Sequence, residues 1–207
     1  MRLNGLISYF FMLGRNIIFQ GILYMSLGEK FYKISITLLL ALFLSTVFDN
    51  FVISIICGHV LNYVLNGQFY VVHRYVDSSA SMKKDDLANY FLFVEKAINI
   101  FNPLDVLIIG GFSRGIIKRT SDLDVRIYHS NTVLGSTKAY LMATVFRFHG
   151  LVTRFPIDVF CFSNLDFLDK IREDEIPINF IKNQKILEKY PLSKNYRLQM
   201  DKIIYSC

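Results

Sequence analysis

The sequence predicts a small mixed α/β sheet flanked by helices and preceded by hydrophobic transmembrane helices. Three observations lead there. Composition changes near residue 66, with the apolar excess on the N-terminal side. From Asp85 onward, short apolar strands alternate with stretches of helical period. Between two of those strands lies "LIIGGFSRGIIKRTSDLDVRI", Leu107 to Ile127, an apolar strand that breaks at two glycines and returns with Asp-Leu-Asp.

Bulk properties set the frame. A chain of 207 residues holds one ordinary domain plus something small. Its hydrophobic fraction of 53% exceeds the ~45–50% of ordinary globular domains. The net charge of +6 suits an anionic partner: nucleotide phosphates, nucleic acid or an acidic membrane surface. Nothing singles out nucleic acid. Cys57, Cys161 and Cys207 are far apart, which implies a reducing compartment without a disulfide framework. His129 and His149 read as strand-end or loop residues, and no zinc pattern exists.

Residues 1–66 read as a membrane-embedded helical region of one or two spans. The run Ile34–Ile56 exceeds the ~20 residues a bilayer requires. Asp49 inside it costs about 2.5–3.5 kcal/mol, against roughly −7 kcal/mol summed over its Leu, Ile, Val and Phe residues. Leu3–Gly28 is a second span or lies along the interface. A buried helical layer of a soluble protein competes, but it needs more cover than the rest of the chain supplies. His59, Asn62 and Asn66 share one helical face. They mark a helix end, or a stripe for a lipid headgroup or partner helix. Asn66-Gly67 is a stop, and residues 67–84 form a linker.

The domain proper spans 85–190, with a tail at 191–207. Leu87, Phe91, Val94, Ile98 and Phe101 make an amphipathic helix with Asp85 or Asp86 at its N-cap, ended by Asn102-Pro103. Val106–Ile109 is a buried strand. Residues 110–118 are a turn and one or two helical turns. Asp122–Tyr128 is a strand, Ser136–Phe148 a helix closed by His149-Gly150, and Leu151–Phe162 a longer strand. A helical tail begins near Asp166.

Strand alternation puts Asp122 and Asp124 on one face, with Leu123 and Val125 toward the core. Adjacent carboxylates repel, and a divalent cation usually holds them together. Asp158, between Ile157 and Val159, completes a three-carboxylate cluster if its strand is a neighbour. Mg²⁺ prefers such oxygen ligands and shares its remaining positions with phosphates. Gly110-Gly111 lets backbone approach a ligand closely, and N–H groups opening a following helix favour phosphate. This is the arrangement phosphoryl or nucleotidyl transfer requires.

These residues resemble the polymerase-β-like nucleotidyltransferase superfamily, in its minimal nucleotidyltransferase branch. The signature reads Ile109-Gly110-Gly111, Asp122-Leu123-Asp124, and Asp158 in "PIDVF". Arg114-Gly115 and Ser121-Asp122 also follow the branch pattern. The resemblance covers residues 85–190. It implies an α/β (α+β) nucleotidyltransferase fold and Mg²⁺-dependent transfer of a nucleoside monophosphate from an NTP, ATP first among them, to an unknown acceptor. Asp122, Asp124 and Asp158 would be catalytic and bind metal, Asp158 alternatively serving as base. Gly110, Gly111, Ser113 and Arg114 would hold nucleotide, with Lys118 and Arg119 neutralising it. Arg126 departs from the family, which has an apolar residue there. It shares a face with Asp122 and Asp124, and strand period puts Arg154 beside Asp158 in the same way. Each arginine pairs with an acid and weakens metal binding, contacts an anionic acceptor, or forms a structural salt bridge.

The expected protein is thus a membrane-anchored nucleotidyltransferase. Its catalytic domain is cytoplasmic because Arg74, Lys83 and Lys84 follow the apolar region. An anionic, lipid-linked acceptor would explain the tether. Competing readings are a catalytically silent nucleotide- or partner-binding module and an antitoxin-type nucleotidyltransferase that modifies a partner protein.

Overall fold

The apolar run Ile34–Ile56 is not one helix. In the computed structural model, which describes residues 3–66, 70, 84–116 and 121–197, it folds back on itself. Helix α1 is Leu3–Phe19, and a single 3₁₀ turn at Ile22–Tyr24 leads to α2, Leu27–Leu44. Helix α3 is Phe51–Leu65. The break between α2 and α3 has a local cause. The Asn50 side chain accepts the N–H groups of Val52 and Ile53 and caps α3, which leaves Asp49 exposed in the turn. Hydropathy summed along the sequence cannot register that break. Among the described residues, no helix is long and apolar enough to cross a membrane. This corrects the transmembrane reading and the membrane placement that rested on it.

Helices α2 and α3 form an antiparallel hairpin. A Cβ on Gly58 would sit 2.9 Å from the backbone nitrogen of Ala41, so the close crossing requires glycine. The polar stripe of α3 faces helices of the same chain. Asn62 donates to the Lys33 carbonyl (3.0 Å) and to Thr37 Oγ1 (2.8 Å), and His59 Nε2 lies 2.8 Å from the Ile17 carbonyl. Leu39, Phe43, Val47 and Val52 on the hairpin remain more than half exposed.

Helix α4, Lys84–Phe101, buries Leu87, Phe91 and Val94 and holds Asp85 and Asp86 in its first turn. Asn102, at φ 49°, ends it as expected. Strands β1 (Asp105–Ile109), β2 (Leu123–Tyr128) and β3 (Ile157–Phe162) follow, with α5 (Val133–Thr153) between β2 and β3. A 3₁₀ segment at Asp166–Lys170, strand β4 (Ile178–Asn179), helix α6 (Gln184–Lys189) and strand β5 (Lys194–Asn195) complete the described chain. The sheet order is β3-β2-β1-β4-β5. β2–β3 and β4–β5 are parallel, whereas β1 is antiparallel to β2 and to β4.

Two further boundaries differ from expectation. The strand expected over Leu151–Phe162 begins only at Ile157, because α5 continues through Leu151, Val152 and Thr153. The β-branched Val152 and Thr153 read as strand, but buried packing of Phe146, Arg147 and Gly150 holds the helix. His149 therefore lies in α5, stacked on Phe93 at 3.8 Å between centroids. Within the expected tail, Lys194–Asn195 extends the sheet and Tyr196 stacks on Phe180 at 4.2 Å, so residues 194–196 pack with the domain. The expected linker lies almost wholly outside the described residues.

One face of the sheet is the main core. Leu123, Val125, Ile127, Ile157, Val159 and Cys161 pack there against α4 and α5. The N-terminal helices dock at the β3 edge through a buried ion pair. Arg147 Nη2 donates to Glu29 Oε1 at 2.6 Å, and the Cys161 N–H donates to Glu29 Oε2 at 3.1 Å. Both charged side chains are almost fully buried. Removing one partner of such a pair leaves an uncompensated buried charge, at about 3–5 kcal/mol. Glu29→Ala should lower unfolding stability by about that amount in a urea titration; a loss under ~1 kcal/mol would show that the pair does not hold the two parts together.

Candidate active site

The second face of the sheet carries Asp124 and Arg126 from β2 and Asp158 and Phe160 from β3. Strand period puts them there once Leu123 and Val125 are committed to the core. Because β2 and β3 are parallel and in register, Asp124 lies directly beside Asp158. Because β1 is antiparallel, its last residue, Ile109, lies beside Asp124 from the other side. The Gly110-Gly111 turn therefore leaves β1 against the acid pair. Gly110 has φ 80°, and a Cβ there would sit 2.1 Å from Asp124 Oδ2. Glycine is required twice over, by conformation and by space.

Of the residues expected at the site, Asp124, Asp158, Gly110, Gly111 and Arg126 converge. Asp122 immediately precedes β2 and is partly exposed; its charge contributes to the environment of Asp124. Ser113 is buried, and its hydroxyl donates to the Gly110 carbonyl at 3.0 Å, which braces the turn. Arg114 lies 3.7 Å from Asp174 across the turn. Residues 110–115 stay a turn and do not open a helix before Ile116, because Phe112 is anchored in the core against Phe91 and Gly115 turns left-handed at φ 75°. Lys118 and Arg119 lie outside the described residues. Arg154 is not on the strand. It is the left-handed C-cap of α5 (φ 57°, ψ 27°) and exposed, so the expected face shared with Asp158 does not form.

Two groups were missed by sequence reasoning. The carboxylate of Glu175 accepts the Gly110 N–H, and Lys194 Nζ donates to the Ser113 carbonyl at 2.9 Å. Both come from the region read as helical tail. No motif marks them; the turn Arg172–Glu175 and strand β5 bring them in.

Arg126 bridges the two acids. Its Nη2 lies 3.3 Å from Asp124 Oδ1 and 3.7 Å from Asp158 Oδ2. Nη1 donates to the carbonyls of Val125 (3.0 Å) and Asp158 (3.2 Å), and the guanidinium sits 4.8 Å over the Phe160 ring. The Asp124 carboxyl is pushed up to about 7. Burial is the main cause. Arg126 opposes it, while Asp122, Asp158 and Glu175 add to it.

The carboxylate oxygens have the right chemistry for Mg²⁺. Their arrangement does not fit a resident ion, because the Arg126 guanidinium already stands between Asp124 and Asp158. Among the described residues, no three His, Cys, Asp or Glu side chains converge as a metal site.

A cleft of about 830 Å³ opens over this face, lined by Arg126, Asp158 and Phe160 from the sheet and by Tyr24 and Met25 from the N-terminal segment. Compared with known proteins, the chain matches no family model, no curated protein and no solved structure.

The raised Asp124 value has a stability consequence. A carboxyl whose folded value lies above its unfolded one favours the fold when protonated, and that contribution is lost as pH rises from about 4 through about 7. Asp124→Asn should therefore flatten the fall in stability across this window. The difference between wild type and variant should be at most about 4 kcal/mol. Identical pH dependence in urea unfolding would remove Asp124 as the source.

Proposed function

We propose that the chain is a nucleotidyltransferase that transfers a nucleoside monophosphate from an NTP to an acceptor. The observation that carries this reading is the in-register pair Asp124–Asp158 beside a glycine turn that only glycine can make. The sequence signature and the mixed sheet agree with it.

In this reading the NTP enters as its Mg²⁺ complex, so the cation is part of the substrate. The Gly110-Gly111 turn gives the phosphates close backbone approach, and Arg114 and Lys194 flank it with positive charge. An acceptor oxygen attacks the α-phosphorus, and the bond to the pyrophosphate oxygen breaks. Asp158, which lines the cleft, takes the acceptor's proton. Arg126 must loosen from Asp124 for the loaded complex to approach.

A second reading is favoured by one observation. Arg126 compensates both acids, as a cation would, and is held in addition by two backbone carbonyls. In that reading the domain binds nucleotide without turning it over.

Titration calorimetry with ATP and Mg²⁺ tests the first claim. Wild type should bind, and Asp124→Asn should bind at least tenfold more weakly. Equal binding by both, or none by wild type, rejects the site. Pyrophosphate release then separates the two readings. Release by wild type supports the transferase. Binding without release, with release gained in Arg126→Leu, supports the silent module.

A further inference from the structure

We propose that the cleft between α1, the 3₁₀ turn and the open sheet face is an acceptor site for a molecule with an anionic head and an apolar body. The role as acceptor site rests on the transferase reading above; the binding claim rests on the cleft itself.

Position comes first. The cleft touches Ile109, Arg126 and Asp158 but not Gly110, Gly111 or Asp124. It therefore lies on the Asp158 side of the acid pair, while the glycine turn lies on the Asp124 side. A nucleotide at the turn and a second ligand in the cleft would meet at the pair from opposite directions. That is the requirement for group transfer between them.

Size and charge come next. About 830 Å³ falls within the ~300–1,000 Å³ of small-molecule sites. Arg15 of α1 and Lys170 of the 3₁₀ segment stand exposed at the walls, and Arg126 lies in the floor. Among the described residues, Asp158 is the one acid that lines the cleft, and Arg126 already compensates it. Arg15 and Lys170 have no carboxylate within salt-bridge distance among the described residues, so their charge is available to a ligand. Two uncompensated cations facing one cavity favour an anion.

Most of the remaining lining is apolar, with Asn16, Ser26 and Asn164 the uncharged polar residues in it. Tyr24 and Phe160 form an edge-to-face pair at 6.4 Å, and Leu23, Met25 and Phe162 continue the surface. A bare phosphate would leave this surface wet. An aliphatic or aromatic body would cover it and take its apolar surface out of water. Head and body are thus recognised by different parts of one cavity.

The test is calorimetry with octyl phosphate below its micelle concentration, phenyl phosphate, inorganic phosphate and octanol. Octyl or phenyl phosphate should bind at least tenfold more tightly than inorganic phosphate and than octanol. Which of the two binds better identifies the body as aliphatic or aromatic. The double variant Arg15→Ala/Lys170→Ala, both positions exposed, should weaken that binding at least tenfold and leave ATP–Mg²⁺ binding within twofold. An unchanged urea midpoint confirms that the variant is folded. If the double variant binds octyl and phenyl phosphate as wild type does, or octanol binds as well as they do, the cleft assignment is overturned. If phosphate-ester binding depends on Arg15 and Lys170 but wild type binds no ATP–Mg²⁺, the cleft is a binding site and the transferase reading alone has failed. If both hold and the double variant loses ATP–Mg²⁺ as well, the two ligands share one site and the separate acceptor site is overturned.

Discussion

The geometry of the open sheet face depends on the buried ion pair between Glu29 and Arg147. Strand β3 is the edge of the sheet, and an edge strand presents unpaired backbone groups. Glu29 of α2 closes this edge by accepting the Cys161 N–H, and Arg147 of α5 donates to the Val159 carbonyl. Burying both charges costs several kcal/mol each, which is offset only when every lone pair and donor finds a partner. Glu29 engages both oxygens, one on Arg147 and the other on the Cys161 N–H. Lys33, one turn further along α2, is also buried. Burial lowers its pKa well below the usual lysine range, and its Nζ donates to the Gln20 carbonyl at 2.6 Å. With α2 fixed at Glu29, the preceding Tyr24 and Met25 are carried over the open face of β3. The wall of the cleft is thus set by an ion pair that does not line it.

Arg126 decides what that face can do. Its contacts to Asp124 and Asp158 are long for a charge-assisted hydrogen bond, which is typically about 2.7–2.9 Å. Its hydrogen bonds to the Val125 and Asp158 carbonyls are shorter, at 3.0 and 3.2 Å, and it also sits 4.8 Å over the Phe160 ring. The guanidinium is therefore held by backbone and ring as much as by carboxylate. It can surrender Asp124 and keep most of its anchorage. Asp124, pushed up to about 7 chiefly by burial, is divided between its two protonation states near neutrality.

Much of this was legible before the fold was known, and the reasons differ by residue. The core faces of β2 and β3 follow from period-two alternation around Asp124 and Asp158, and the α4 stripe from its 3.6-residue period. The glycine turn was legible because Gly110-Gly111 interrupts an apolar strand. The helical hairpin was not, because hydropathy adds up residues and ignores the Asn50 cap. The extent of α5 was not, because Val152 and Thr153 have strand propensity and helical packing overrides it. Arg154 was misplaced for the same reason. Glu175 and Lys194 were invisible because long-range pairing in short strands leaves no local pattern.

The acid pair is encoded chiefly by residues that are not acidic. Side chains alternate across a sheet, so a slip of one residue between β2 and β3 would exchange the two faces of one strand. Leu123, Val125 and Ile127 on β2, and Ile157, Val159 and Cys161 on β3, are all fully or almost fully buried. A slip would expose one such set and bury Asp124 and Arg126 or Asp158 in the core. The desolvation of a buried charge makes that alternative costly. The register that seats Asp124 beside Asp158 is therefore enforced by the apolar face behind them. The helix α5 crossover makes the two strands parallel, so both acids sit second in their strands at the same end of the sheet. Strand β1, running the other way, brings its glycine turn to that end. The site is the place where these three strand directions meet, and its chemistry is fixed by packing on the opposite face.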